Sequence, residues 1–181
     1  MNVYADNAAT TAMSRTAIEA MLPFLDRDYG NPSSPHRMGR RAAAALEEAC
    51  LGMEENTTRL TALREELIDR LSALPGSRLN GSRTGRLAGN VNFCFDGADG
   101  ERLLIVLDRQ GVCAGSGSAC SSGAIEPSHV LRAIGRTPEQ ARTALRLSLC
   151  AWNTREETEY IAAAVESAVA RLRDGRREAR P

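Results

Sequence analysis

The chain has 181 residues, of which 43% are hydrophobic, so it is long and apolar enough to build a packed core. Its 23 basic and 23 acidic side chains cancel, which removes any electrostatic reason to expect a nucleic-acid partner. No apolar run approaches the ~20 residues that cross a bilayer, and the N-terminus lacks the basic and apolar regions of a signal peptide, so we expect a cytoplasmic protein without a membrane partner.

The first part of the chain predicts an extended N-terminus followed by two helices. Residues 1–11 read as extended, and Ser14 is a suitable cap for a helix over residues 14–25. The glycine, asparagine and prolines of residues 28–35 predict a loop. Residues 36–50 read as a second helix, rich in alanine and arginine.

The rest of the chain alternates between helical patterns and short strands. Helices are predicted at residues 58–74, 101–110, 126–135 and 154–173, with a brief one starting at residue 137. Strands are predicted around Leu79, Val91, Val112 and Leu145. We therefore predict an α+β fold in which these strands form a small antiparallel sheet flanked by helices.

A run of small residues at 111–123 places a reactive atom, the thiol of Cys120, in a loop of glycines and serines. Glycines such as Gly115 and Gly117 permit backbone angles closed to other residues, so this cysteine is expected to be exposed and mobile. Composition alone favours a flexible linker that happens to contain a thiol. The predicted strand before the loop and the short helix after it favour a functional site.

Two neighbouring segments resemble the active-site region of cysteine desulfurases, which are pyridoxal-phosphate enzymes of the class V aminotransferase group. They are residues 116–120, Ser-Gly-Ser-Ala-Cys, and residues 126–135, Glu-Pro-Ser-His-Val-Leu-Arg-Ala-Ile-Gly. Residues 4–11 and 30–39 resemble N-terminal segments of the same family. Residues 51 onward look like the start of its C-terminal small domain. The resemblance thus covers nearly the whole chain, in two blocks.

The resemblance implies an N-terminal segment at residues 1–52, a small domain with the cysteine loop at residues 53–175, and a tail at residues 176–181, packed as one compact unit. The large cofactor domain that the family places between the first two is absent. All 23 basic residues are arginines, so the chain has no lysine for a Schiff base with pyridoxal phosphate. Arginine is no substitute, because its guanidinium stays protonated. We therefore expect no bound cofactor and no cofactor-dependent activity from this chain alone.

Three residues are candidates for a functional site. Through the resemblance, Cys120 is the nucleophile that takes sulfur from cysteine and holds it as a persulfide. Arg146 matches the arginine that binds the substrate carboxylate, a role that suits a planar guanidinium. The alternative for Arg146 is an exposed arginine that pairs across the sheet. Asn31 is a second substrate-binding candidate, since the resemblance places its loop near the cofactor pocket, although a simple turn explains Asn31 equally well.

The remaining thiols do not predict a metal site. The five cysteines include no pair with the close spacing of zinc or thioredoxin-like sites, and the chain has two histidines. Cys94, in a strand, and Cys150, at a strand end, read as structural thiols. Cys113 could form an adventitious disulfide with Cys120 if the loop folds back. The odd number of cysteines fits a reducing compartment.

The resemblance implies a known reaction, the conversion of L-cysteine to L-alanine with sulfur delivered to iron–sulfur cluster or thio-cofactor assembly. For this chain we expect an inactive or purely sulfur-carrying remnant of such an enzyme. The alternative is a binding module for a scaffold protein or a full-length desulfurase. An iron–sulfur scaffold or sulfur acceptor is the expected partner. Loss of the large domain also predicts an exposed apolar face and self-association.

Overall fold

The computed structural model describes residues 1–13, 15, 18–19, 22, 53–116 and 127–178. The chain divides into two units, one formed by residues 1–11 and 59–181 and the other by residues 12–58. Within the second unit, Arg15 and Glu19 are spaced four residues apart and form an exposed ion pair of 2.9 Å.

Five helices and five strands have bounds within the described residues. The helices are α1 (Met53–Ser72), α2 (Gly100–Arg109), α3 (His129–Ala133), α4 (Pro138–Ala141) and α5 (Arg155–Glu178). The strands are β1 (Val3–Tyr4), β2 (Ser77–Leu79), β3 (Asn90–Phe95), β4 (Val112–Cys113) and β5 (Ala144–Ser148). None of the helices in the described ranges is long and apolar enough to span a membrane.

Side chains at its first turn explain why α5 begins where the sequence predicts. The Thr154 hydroxyl accepts a hydrogen bond from the Glu157 N–H at 3.2 Å, and the Glu157 carboxylate accepts one from the Thr154 N–H at 3.1 Å. This reciprocal pair is a capping box, and it satisfies two N–H groups that the start of α5 would otherwise leave without partners. A second capping box, between Thr137 and Gln140, opens α4.

Three strands form an antiparallel sheet in the order β2-β3-β5. Phe93, in the central strand β3, pairs with Leu79 of β2 on one side and with Leu145 of β5 on the other. Helices pack around this sheet. The predicted α+β fold with a small antiparallel sheet is therefore confirmed.

The main hydrophobic core lies on one face of this sheet. Phe93 and Phe95 are at most 1% exposed, and their rings stack with centroids 5.8 Å apart. The same core includes buried side chains of α1, α2, β5 and α5, among them Leu63, Leu67, Ile68, Leu71, Leu103, Leu107, Leu145, Leu147, Ile161 and Val165. Because side chains alternate along a strand, Cys94 points to the opposite face, where it packs with Leu131 of α3 and Ala141 of α4.

The N-terminal segment forms a strand of the same domain. β1 runs parallel to β4, with Val3 opposite Val112, and the Val3 N–H donates to the Gly111 carbonyl at 2.6 Å. Val3 and Ala5 are at most 2% exposed and belong to the main core. The expected place of Val112 in the antiparallel sheet is therefore wrong. Alternation of apolar residues predicts a strand, but it does not reveal a partner strand that comes from the far end of the chain.

Candidate functional site

Arg146 lies in the middle of β5 and is 7% exposed. Its N–H donates to the Gly115 carbonyl at 2.6 Å, and the Gly115 N–H donates to the Arg146 carbonyl at 3.0 Å. Gly115 precedes the segment that leads to Cys120, and we call it the loop root. Arg146 is thus a buried arginine beside the loop root, which differs from the exposed arginine of the alternative.

The Arg146 guanidinium forms an ion pair with Asp6 in the N-terminal segment. The distance from Nη2 of Arg146 to Oδ1 of Asp6 is 2.5 Å, and the two residues are 140 positions apart in the chain. Their side chains are 9% and 22% exposed, respectively. Because water screens this pair little, its charges interact more strongly than those of a surface ion pair.

The backbone around Asp6 is held from two sides. On one side, the Ala5 N–H donates to the Cys113 carbonyl at 2.8 Å. On the other side, the Ser148 N–H donates to the Ala5 carbonyl at 2.7 Å, and the Asn7 N–H donates to the Ser148 carbonyl at 3.2 Å. Residues 5–7 therefore lie between β4 and β5, and this position directs Asp6 to Arg146.

Gly115 leaves room for the ion pair. A Cβ atom at this position would lie 2.8 Å from Nη2 of Arg146 and 3.0 Å from Oδ1 of Asp6. Such distances are shorter than Cβ atoms normally tolerate, so any larger residue would displace one of the two charged groups. Glycine at the loop root is required by this close approach.

Ser148 adds a buried hydroxyl to the same side of β5 as Arg146, since residues two positions apart in a strand share a face. Ser148 is 6% exposed, and its hydroxyl oxygen makes no hydrogen bond within the part of the chain that the structure describes. Buried hydroxyls in proteins are usually paired. The Ser148 hydroxyl is therefore a polar group that a ligand beside Arg146 can pair with.

The other predicted site residues, Cys120 and Asn31, lie outside the described residues. Cys94 is buried, with its Sγ 3.1 Å from Nδ2 of Asn80, which confirms it as a structural thiol. Cys113 is exposed on β4. Within the described ranges, no group of His, Cys, Asp and Glu side chains is arranged to hold a metal ion.

Asp6 is the site residue that the sequence did not indicate. In the sequence it is one member of the extended segment 4–11, and its partner Arg146 lies 140 positions away. No local sequence pattern indicates an ion pair between residues so far apart in the chain. The resemblance identified the arginine but gave no role to the carboxylate that binds it.

The chemical capacity of this site follows from its charged and polar groups. A buried guanidinium is a strong ligand for carboxylates, and here it lies beside a carboxylate of the chain, a buried hydroxyl and the loop root. The arrangement suits recognition of a carboxylate beside the loop root.

Comparison with known proteins identifies the class. The family model described as aminotransferase class-V matches residues 49–161, more than half of the chain. The chain therefore belongs to the class V aminotransferase family.

Within this family, the chain is similar in sequence to cysteine desulfurases. Cysteine desulfurase IscS of Methanosarcina thermophila is 43% identical over 130 residues, which make up 72% of this chain and 32% of the relative. Cysteine desulfurase IscS of Clostridium botulinum is 45% identical over 120 residues, or 65% of this chain and 30% of the relative. These relatives confirm the resemblance inferred from the loop sequence. The chain spans about a third of the length of the curated relatives it matches.

Solved structures share the fold. A NifS-like protein from Rickettsia africae superposes with a TM-score of 0.60 at 24% identity, over 76% of this chain and 36% of that one. A second NifS-like protein gives a TM-score of 0.60 at 26% identity, over 76% and 35% of the two chains. Both agree with the α+β architecture described above.

Members of this family use pyridoxal phosphate. Enzymes hold this cofactor as a Schiff base on a lysine amine. The 181 residues contain no lysine, so the side chains of this chain do not fit covalent attachment of the cofactor.

Proposed function

We propose that this chain is a truncated cysteine desulfurase-like protein that carries sulfur as a persulfide on Cys120. The observation that supports this function is the buried guanidinium of Arg146 beside the loop root, in a chain that is 43% identical to a cysteine desulfurase over 130 residues. In this proposal Arg146 binds the carboxylate of an amino-acid substrate, and Asn31 is a second substrate-binding residue.

Without a lysine, the chain does not perform the cofactor-dependent conversion of L-cysteine to L-alanine by itself. It receives sulfur from a donor that already carries a persulfide. The Cys120 thiolate attacks the outer sulfur of the donor, a new S–S bond forms, the S–S bond of the donor breaks, and the donor leaves as a thiolate. The proton of the donor's outer sulfur stays on that sulfur as it is transferred to Cys120. Atoms and electrons therefore balance without a further oxidant.

The reverse exchange gives the sulfur to an acceptor protein, and this sets the expected partners. We propose an iron–sulfur scaffold or another sulfur acceptor as the partner, in a reducing cytoplasm where thiols stay free. Self-association through an apolar face is a further interaction that we propose, and light scattering at increasing protein concentration would detect it.

The test is exposure of the chain to an aliphatic persulfide, followed by mass spectrometry of its peptides. Cys113 and Cys120 lie in the same arginine-bounded peptide, so fragmentation of that peptide is needed to locate the label. We expect one added sulfur atom on Cys120 and none at position 120 of a Cys120→Ser variant. Cys113→Ser is the matched control, because Cys113 is an exposed thiol on the strand before the loop. This control should leave the labelling of Cys120 unchanged.

Two results would contradict sulfur carriage by Cys120. Equal labelling of Cys113 and Cys120 would show unselective thiol chemistry. No labelling of Cys120, together with a complex with a full-length desulfurase that survives Cys120→Ala, would favour a non-catalytic binding module.

A further inference from the structure

The ion pair between Asp6 and Arg146 places a carboxylate of the chain itself on the group that the proposed function assigns to a substrate carboxylate. The two side chains are 2.5 Å apart, and Arg146 is 9% exposed at its side chain. A guanidinium binds a carboxylate through N–H donors arranged in a plane. Asp6 already uses part of that plane.

We propose that Asp6 is an internal ligand of Arg146 that competes with the substrate carboxylate and thereby sets the affinity of the site for amino acids. This inference rests on the proposed function, in which Arg146 binds that carboxylate. Asp6 acts through Arg146 and not on the reacting atoms, so it is a positioning residue.

The backbone hydrogen bonds on either side of Asp6 make this competition effective. The hydrogen bonds of Ala5 to Cys113 and Ser148 hold the backbone before Asp6 at 2.8 and 2.7 Å, and the hydrogen bond of Asn7 to Ser148 holds the backbone after it at 3.2 Å. A tethered ligand in a fixed place has a high effective concentration that does not depend on diffusion. An external carboxylate must therefore compete with a partner that is always present.

Electrostatics gives the direction of the effect. The Asp6 carboxylate lies 2.5 Å from the guanidinium and repels an incoming carboxylate there, and removal of the Asp6 charge removes that repulsion. For charges ~5 Å apart, an effective dielectric constant between ~80 and ~20 gives a change in affinity of roughly fourfold to a few hundredfold. Removal of the Asp6 charge should therefore strengthen amino-acid binding.

Ser148 gives an independent indication of a polar ligand on this side of β5. Its hydroxyl is buried and has no hydrogen-bond partner within the described residues. A carboxylate that reaches Arg146 offers oxygens that can accept a hydrogen bond from this hydroxyl. The Ser148 hydroxyl therefore supports binding of a second carboxylate next to Asp6.

The test is a titration with L-alanine, the amino-acid product of the family reaction, followed by the NMR signal of the Arg146 Nε–H group. The signal is assigned by its loss in Arg146→Gln. Asp6→Asn removes the charge and keeps the size of the side chain, and we expect it to bind L-alanine about tenfold more tightly than the unaltered chain. Glu66→Gln is the control: Glu66 pairs with Arg155 at the surface, so the same change of net charge there should leave the affinity unchanged.

The outcomes separate this inference from the proposed function. Equal or weaker binding by Asp6→Asn, while the unaltered chain still binds through Arg146, would overturn the role of Asp6 and leave the carboxylate site in place. No binding by either chain would overturn both. If Asp6→Asn does not fold, the NMR titration of the unaltered chain tests the inference instead. There, L-alanine should shift the carboxyl carbon signal of Asp6 together with the Arg146 signal. A stationary Asp6 signal would contradict competition.

Discussion

The antiparallel sheet and the N-terminal junction are held together by different interactions. We use the term N-terminal junction for β1, β4, Asp6, Arg146 and the loop root. Strand β3 of the sheet has six residues and buries two stacked phenylalanines, whereas β1 and β4 of the junction have two residues each. The junction also buries Val3 and Val112, but it differs from the sheet in its backbone hydrogen bonds between distant parts of the chain and in the shielded ion pair of Asp6 with Arg146.

This difference separates stability from function. Burial of apolar side chains is non-directional and supplies most of the folding free energy. Hydrogen bonds and ion pairs contribute less, but they fix atoms at defined distances. The sheet therefore stabilises the domain, and the junction places the guanidinium of Arg146 beside the loop root.

The largest effect is expected in the sheet. Phe93 is 1% exposed, and Phe93→Ala should lower the free energy of unfolding by about 3–5 kcal/mol, because it removes a stacked ring and leaves a cavity. Urea denaturation measures the loss. Leu87 is 81% exposed, so Leu87→Ala should change stability by less than about 0.5 kcal/mol. Similar losses in the two variants would contradict the assignment of the core.

A smaller effect is expected from the ion pair of the junction. Asp6→Ala leaves the shielded guanidinium of Arg146 without this partner and should cost about 2–3 kcal/mol in urea denaturation. The comparison is Glu66→Ala, which breaks the surface pair with Arg155 and should cost less than about 1 kcal/mol. Equal costs would mean that burial does not distinguish the junction pair from a surface pair.

The next largest effect on the free energy of unfolding is expected at Gly111, a glycine at the edge of the junction. Gly111 has a φ of 77°, and a Cβ there would collide with the Met1 carbonyl oxygen. Gly135 has a φ of 88° with nothing within 4 Å of such a Cβ. We expect Gly111→Ala to cost about 2 kcal/mol and Gly135→Ala about 1 kcal/mol, because only the first adds a collision to the backbone strain. A larger loss for Gly135→Ala in thermal unfolding would contradict the packing of β1.

The two regions also differ in what the sequence predicted. The helices and the antiparallel strands follow from contiguous patterns, such as the Thr154–Glu157 capping box and the alternation around Leu145. The junction does not, because its pairs join residues from opposite ends of the chain, as Asp6 and Arg146 do. Arg146 was identified through family resemblance, whereas its burial and its partner became visible only in the fold.

The smallest effect is a pH dependence of stability that arises from Glu65. This residue lies on α1, outside the junction, and forms ion pairs with Arg64 and Arg83. Burial alone raises the pKa of Glu65, but hydrogen bonds from Arg83 and Arg64 outweigh it, so the pKa lies below its usual value of 4.5. Because the folded-state pKa is the lower one, the stabilisation is complete above the usual value and is lost as the pH falls through the folded-state pKa.

Glu65→Gln removes this dependence. We expect urea midpoints of the variant to fall less than those of the unaltered chain as the pH drops below 4.5, by an amount worth less than about 1 kcal/mol. Identical acid dependence of the two chains would show that the arginines do not stabilise the Glu65 carboxylate.

Amide hydrogen exchange of the N-terminal segment tests most directly whether residues 3–7 are hydrogen-bonded into the domain that contains Arg146. The Val3 and Ala5 N–H groups donate to the carbonyls of Gly111 and Cys113 at 2.6 and 2.8 Å. We predict that both amides exchange as slowly as those of β3, within about a factor of ten, because they open only with the domain. Exchange at the rate of an unstructured peptide would contradict this, since the N-terminal segment would then not hold Asp6 against Arg146.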